Sequence, residues 1–330
     1  MPFYATVLLL LAGGFRPAGA VTPTRPAPLV IEGKIALGPV TGRIDHLAID
    51  LRRRHLFVAE LGNNSVGVID LAAGRALRTI RGFREPQGIG YESRTDTIYV
   101  SNAGDGSVRL FRGEDFAPLG TIELGSDADN VRVDPMHRRV LVGYGDGALA
   151  IIDPASHRRT GGVRLPAHPE GFQLVDEGTR AAVNLPDAHR IGIADLAGGT
   201  LRSIPTGSFG ANFPMAIDAA AGHILVVFRR PPLLAAYTIR GGQLAARLPV
   251  CADADDLFLD TKRHRIYLSC GAGFIDVLEG AARGYARRAR VPTAQGARTS
   301  LFVPELDRLY VAARSSRNEP AAIWVFRPMP

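Results

Sequence analysis

The chain has 330 residues, of which 46% are hydrophobic and 22% charged, enough apolar material for a large core and too much for a disordered or fibrous protein. Its formal net charge is +7 and is carried almost wholly by arginine, because lysine occurs only at Lys34 and Lys262. That excess admits an acidic partner, but a compositional bias toward arginine is the simpler account.

The first element is an apolar run, FYATVLLLLAGG, too short to span a bilayer comfortably. The small residues AGA at Ala18 to Ala20 follow it, where a signal peptidase would cut, so residues 1–20 are expected to be a secretory signal and the protein periplasmic or secreted. Only the amino terminus supplies positive charge before the run. Residues 21–28, VTPTRPAP, are Pro-rich and are expected to be an extended lead-in. No later stretch is apolar for 18 residues or more, so no membrane anchor is expected after cleavage.

From residue 29 to residue 330 one pattern recurs, and it predicts a single domain. An apolar strand with a fixed end position, a short polar link and a second apolar strand appear as LAIDLRRRHLFVAE, IGYESRTDTIYVSN, VRVDPMHRRVLVGY, FQLVDEGTRAAVNL, MAIDAAAGHILVVF, LFLDTKRHRIYLSC and LFVPELDRLYVAAR. The end positions are Asp50, Glu92, Asp134, Val175, Asp218, Asp260 and Val303, spaced by 41 to 43 residues. Each unit reads as four short β-prone runs separated by turn residues, and nothing reads as a helix. Many runs are apolar throughout, as expected of sheets covered on both faces. The prediction is all-β: a seven-bladed β-propeller with four-stranded blades of about 42 residues.

The two ends complete this reading. The seventh unit stops after its third strand, AIWVFRP at Ala322 to Pro328, whereas LVIEGKIALG at Leu29 to Gly38 stands where a fourth strand would precede blade one. The N-terminal strand is therefore expected to close the last blade and remove an open sheet edge.

Glu85 to Val108, EPQGIGYESRTDTIYVSNAGDGSV, resembles the YVTN-type seven-bladed β-propeller repeat, with its Pro-x-Gly turn, inner strand and Tyr-Val-Ser-Asn strand. Weaker copies are LFVAELGNNSVGVID, IYLSC and LYVAAR. The resemblance covers roughly Lys34 to Phe326 and implies a secreted or periplasmic, YncE-like propeller, but it brings no shared catalytic set with it.

In such a ring the loops leading into each innermost strand converge on one mouth of the central channel. Five residues before each end position stand Asp45, Gln87, Asp129, Glu170, Phe213, Asp255 and Arg298; one residue later stand His46, Asn130 and Asp256 among others. Carboxylates at Asp45, Asp129, Asp255 and Asp256 repel one another unless a cation compensates, so a divalent cation, Ca²⁺ or a transition metal, is one candidate cofactor. His46, Gln87, Asn130, Glu170, Asn212 and Arg298 are the candidate ligand-binding residues, for a small ligand or a protein partner of a monomeric propeller. The alternative is an enzyme of lactonase or lyase type on a small polar substrate, with His46 or His168 as base, Glu170 as acid or base and Arg298 as anion clamp. The bland alternative is a solvated mouth whose polar residues only form turns.

Cys251 and Cys270 both fall near this mouth in blade six, so an exported chain is expected to join them. The turns of the opposite face read LRRRH, MHRR, SHRR and TKRHR, with ARGYARRAR adding to the charge. A nucleic acid could use such a face, but aromatic residues that stack on bases are scarce there, which favours a solvated surface. No nucleophile elbow, zinc-binding helix motif or phosphate loop is present.

Overall fold

The structure, a computed structural model, describes residues 1–3, 26–281 and 284–330. Most of the expected secretory signal, residues 4–20, and most of the Pro-rich lead-in therefore lie outside the described residues. From Leu29 to Pro328 the chain forms seven four-stranded antiparallel sheets. Their first strands are Leu47–Asp50, Pro86–Glu92, Ala128–Asp134, Phe172–Val175, Gly210–Asp218, Ala254–Asp260 and Ser300–Val303. Six sheets are built from four consecutive strands, and the seventh takes its outer strand, Leu29–Ala36, from the other end of the chain. That strand pairs antiparallel with Ala322–Pro328, from Leu29 opposite Pro328 to Ala36 opposite Ala322, so the N-terminal segment closes the ring.

Strands that are apolar throughout make sense once the seams between blades are seen. Successive side chains of a strand point to opposite faces, and each face meets a different neighbouring blade. In blade five Leu225 and Val227 join a cluster with Leu257, Ile266 and Leu268 of blade six. The alternate residues Ile224, Val226 and Phe228 pack with Val175, Ala182 and Ile191 of blade four. Seven such apolar clusters connect the blades around the ring, and the one between blades seven and one includes Ile35 and Leu37 of the closing segment.

The recurring end residue has a local cause. Asp50 Oδ1 accepts the backbone N–H groups of Arg52 and Arg53, at 2.9 and 3.2 Å, and so folds the turn to the second strand. Asp134, Asp218 and Asp260 do the same for one N–H each, and Glu92 does so for Arg94 and Thr95. Val175 and Val303 have no such side chain; there backbone bonds close the turns, Gly178 N–H to the Val175 carbonyl and Asp307 N–H to the Pro304 carbonyl, and left-handed residues occur in these turns as in the other five.

Several arginines expected to make a free basic face are instead bolts between blades. Arg53 reaches Asp50 at 2.6 Å and both carboxylate oxygens of Asp96 in blade two, at 2.7 and 3.0 Å. Arg263 joins Asp260 to Asp307 of blade seven in the same way. Arg139 ties Asp134 to the carbonyl of Gly178 in blade four. Arg265 is buried and donates to the carbonyls of Pro28 and Met329, beside the closure. Arg52, Arg54, Arg138, Arg158, Arg159 and Lys262 remain exposed. Positive charge on this face is therefore diluted by its own carboxylates.

Cys251 and Cys270 are joined, their Cα atoms 5.9 Å apart across a sequence separation of 19. A cross-link closing a loop of that length stabilises a fold by about 3 kcal/mol, mostly by restricting the unfolded chain. It tethers the loop leading into blade six to the end of that blade's second strand, directly under the mouth.

Candidate functional site

The first strands and the loops before them enclose a cavity of about 740 Å³ along the ring axis. All seven loop positions predicted to converge there line it: Asp45, Gln87, Asp129, Glu170, Phe213, Asp255 and Arg298. His46, Asn130, His168 and Asp256 line it as well. Asn212 does not. It is fully buried, and its amide donates to Asn184 Oδ1 and the carbonyl of Arg190, both at 3.1 Å, so it braces the wall behind Phe213.

The carboxylates fall into two groups. Asp255 is clamped by two guanidinium groups, Arg229 Nη2 at 2.7 Å from Oδ1 and Arg298 Nε at 2.8 Å from Oδ2. Arg298 also holds Asp253 at 2.9 Å, and Arg229 lies over the Phe213 ring, 4.0 Å from its centroid. Arg43 pairs with Asp45 at 2.7 Å. Asp256 accepts the N–H of Ser300 at 2.7 Å and lies 3.6 Å from His46 Nδ1. Asp129 and Glu170 are different: among the described residues no cationic side chain makes an ion pair with either. Asp129 is 5% exposed, its Oδ2 accepts from Asn130 at 3.2 Å, and its Oδ1 has no partner.

Burial and mutual repulsion move protons accordingly. Burial works against the His46 imidazolium, but Asp256, with Asp45 and Asp129 beside it, raises its pKa to about 10. Burial first, and then the neighbouring Asp129 and Asp255 charges, push the Glu170 carboxyl up to about 8, with Arg229 opposing. Asp129 is raised to about 6 by burial, opposed by His46 and reinforced by Asp45. Asp255 is also raised by burial, in spite of Arg229 and Arg298. At neutral pH the mouth therefore holds charged His46 and a largely protonated Glu170.

These shifts carry a sign. A Glu170 carboxyl that titrates near 8 when folded, against 4.5 in an open chain, keeps a proton that the unfolded chain gives up, so stability falls as pH rises through that window. Asp129 acts in the same direction between 3.8 and 6, and the stabilisation by His46 is lost as pH rises through about 10. Melting temperature is expected to decline from about pH 5 to about pH 9, and Glu170→Gln should remove part of that slope. An unchanged slope in the variant would show that Glu170 does not carry the shift.

Many chains of known structure share the architecture, and two serve as examples. One belongs to hydrazine synthase of Kuenenia stuttgartiensis, with TM-score 0.73 and 17% identity over 88% of this chain and 96% of that one. The other belongs to the mitotic checkpoint complex, with TM-score 0.78 and 13% identity over 99% of each chain. The chain is a seven-bladed β-propeller. At those identities the likeness reaches no further than the fold. No family model matches the chain, and no curated protein does.

Within this propeller, the residues that periodicity did not reveal are arginines on strands. Arg132 stands at the middle of blade three's first strand, points into the channel and is held by the carbonyls of Phe172 and Val131 at 3.1 and 2.8 Å. Burial lowers its pKa, with Asp256 and Asp129 opposing. Corresponding positions two residues before each end residue are mostly apolar or glycine, Ala48, Gly90, Ala216, Phe258 and Leu301, so Arg132 and Gln173 stand out when the repeats are superposed. Arg229 is the last residue but one of the second strand of blade five, His223–Arg230, and carries no such signal. His168 donates from Nδ1 to the carbonyl of Gly145 at 2.7 Å.

Proposed function

We propose that this protein is an exported binding propeller that takes a small, polar organic ligand into the channel mouth. The observation that carries the reading is the arrangement of charge in the 740 Å³ cavity: oppositely charged side chains lock each other in place, beside the Phe213 ring, while Asp129 Oδ1 is left without a partner. A cavity of that size suits a small molecule, and side chains fixed in advance lose little freedom on binding. Asp45, Asp255 and Asp256 already face Arg43, Arg229 with Arg298, and His46, which leaves a divalent cation few free oxygens. Export is supported by the leader-like residues 1–20, and the Cys251–Cys270 bond is in keeping with an oxidising compartment. Kinship with YVTN-type propellers rests on the repeat residues around Tyr99 to Asn102.

A specific observation favours a second reading, an enzyme of lactonase or lyase type. Glu170, which titrates near 8, and His168, whose Nδ1 is held by the Gly145 carbonyl, line the same cavity and could act as general acid and general base.

The test is a thermal-shift screen of the purified protein against small organic metabolites in the presence of EDTA, repeated with Gln87→Trp. Gln87 lines the cavity and makes no side-chain hydrogen bond among the described residues, so the larger ring should fill the mouth without breaking an internal pair. At least one compound is expected to raise the melting temperature of the wild type and not that of the variant. Gains seen only with divalent metal, or equally in both proteins, would sink the reading.

A further inference from the structure

The unpaired arc of the mouth gives the ligand a chemical character. Asp129 and Asn130 are 5% and 3% exposed, both line the cavity, and both carry a buried oxygen, Oδ1 in each case, without a hydrogen-bond partner. Leaving such acceptors dry is costly unless something donates to them. Glu170, on the next blade's loop, lines the same cavity, and neither it nor Asp129 has an ion-pair partner among the described residues. Asp45 and Asp255 face arginines, Asp256 faces the imidazole of His46, and Asp127 lies 3.5 Å from His168.

We infer that Asp129, Asn130 and Glu170 form a subsite for a primary ammonium group of the ligand. An ammonium has three donors and one positive charge. It would meet three acceptor side chains and supply the counter-charge that this arc lacks. A hydroxyl could donate to one of these oxygens but would leave the carboxylate charge uncompensated. A metal ion would need a fuller oxygen shell than these three side chains supply. The inference rests on the ligand reading above and narrows it to amines.

Proton release provides the signature. The groups facing Asp129 are His46, Asp45, His168 and Asp127, and those facing Glu170 are Asp129, Asp255, Arg229 and Asp45. An ammonium placed among them favours the ionised forms of Asp129 and Glu170, so binding should expel protons and tighten as pH rises toward about 8.

Calorimetric titration of the purified protein with 1,4-diaminobutane, with 1,4-butanediol and with calcium chloride tests this, in buffers of different ionisation enthalpy. The diamine is expected to bind with proton release, the diol not to bind, and Asp129→Asn and Glu170→Gln each to weaken the diamine by about tenfold or more. Folding of both variants is checked by their melting curves, and two independent near-isosteric changes guard against one failing to fold. Equal binding of diol and diamine, tighter binding of calcium, no binding by the diamine, or binding indifferent to both substitutions would each overturn the ammonium subsite. If the metabolite screen still yields a mouth ligand in such a case, the binding reading stands without the subsite; if it yields none, both fall.

Discussion

A chain that lacks residues 29–38 is expected to lose most of its stability and to self-associate. Leu29, Ile35 and Leu37 are buried at 3%, 8% and 4% exposure, in the seams that join blade seven to blades six and one. Burial of each such side chain contributes about 1.5–3 kcal/mol. Their sum is comparable with the roughly 5–15 kcal/mol that holds a whole domain together. The deletion also strips a partner from Ala322–Pro328 along its length and leaves unpaired backbone groups at an edge. Four further ties are lost with it: Lys34 to Glu319 at 2.7 Å, Lys34 over Trp324, Arg327 to Glu32 at 3.0 Å, and Arg308 to Glu32. Size-exclusion chromatography and a thermal melt decide the matter. A truncated protein that elutes as a monomer and melts with the intact one would refute the role of this strand in closure.

The closure could be read from sequence because both of its halves were visible in one frame: a seventh unit short of a strand, and an orphan strand before the first unit. Periodicity of this kind is legible whenever every unit solves the same packing problem. Asp50, Asp134, Asp218 and Asp260 recur because each turn needs an acceptor for exposed N–H groups, and that need is local. Val175 and Val303 break the spelling yet keep the turn, because the left-handed residue that ends the turn, Asp307 in blade seven as Arg54, Arg138 or His264 elsewhere, does not depend on the acceptor. The charge of the opposite face was harder to foresee. Arg53 and Arg263 look solvated in a list of basic turns, but their partners Asp96 and Asp307 lie about one blade further along the chain.

The mouth was legible for the same reason and to the same limit. Seven loop positions at one register must converge, whatever residue occupies them, so Asp45, Asp129 and Asp255 could be placed at a common cavity without knowing a single contact. Arg298 and His46 stand at or beside the common register and meet Asp255 and Asp256, but the remaining cations could not be foreseen, because they enter from other registers. Arg43 precedes its loop position by two residues, Arg132 sits within a strand, and Arg229 comes from a strand end. Asn212 illustrates the converse error: one residue from a channel-facing position, it points into the wall and hydrogen-bonds with Asn184.

Replacing Arg229 with Met is expected to be the most damaging single change at the mouth. Asp255 has 10% of its side chain exposed and raised toward neutrality by burial, and it depends on Arg229 and Arg298 for its charge. Removing one partner from a buried ion pair costs about 3–5 kcal/mol, chiefly because the remaining charge is stranded; Arg298 will soften that loss, since it still lies 2.8 Å from Oδ2. The variant also forfeits the hydrogen bond to the Ala254 carbonyl at 2.8 Å and the contact with Phe213, a cation over a ring being worth about 0.5–2 kcal/mol. If the loss comes from stranded charge rather than from packing, Asp255→Asn in the Arg229→Met background should recover a large part of it, because a neutral amide needs no counter-ion. Urea unfolding of the wild type, the two single variants and the double variant forms a closed cycle. Additive losses would assign Arg229 a packing role only; a double variant more stable than Arg229→Met alone would establish that the mouth is held in shape by charge, and that a ligand entering it meets side chains already fixed by their partners.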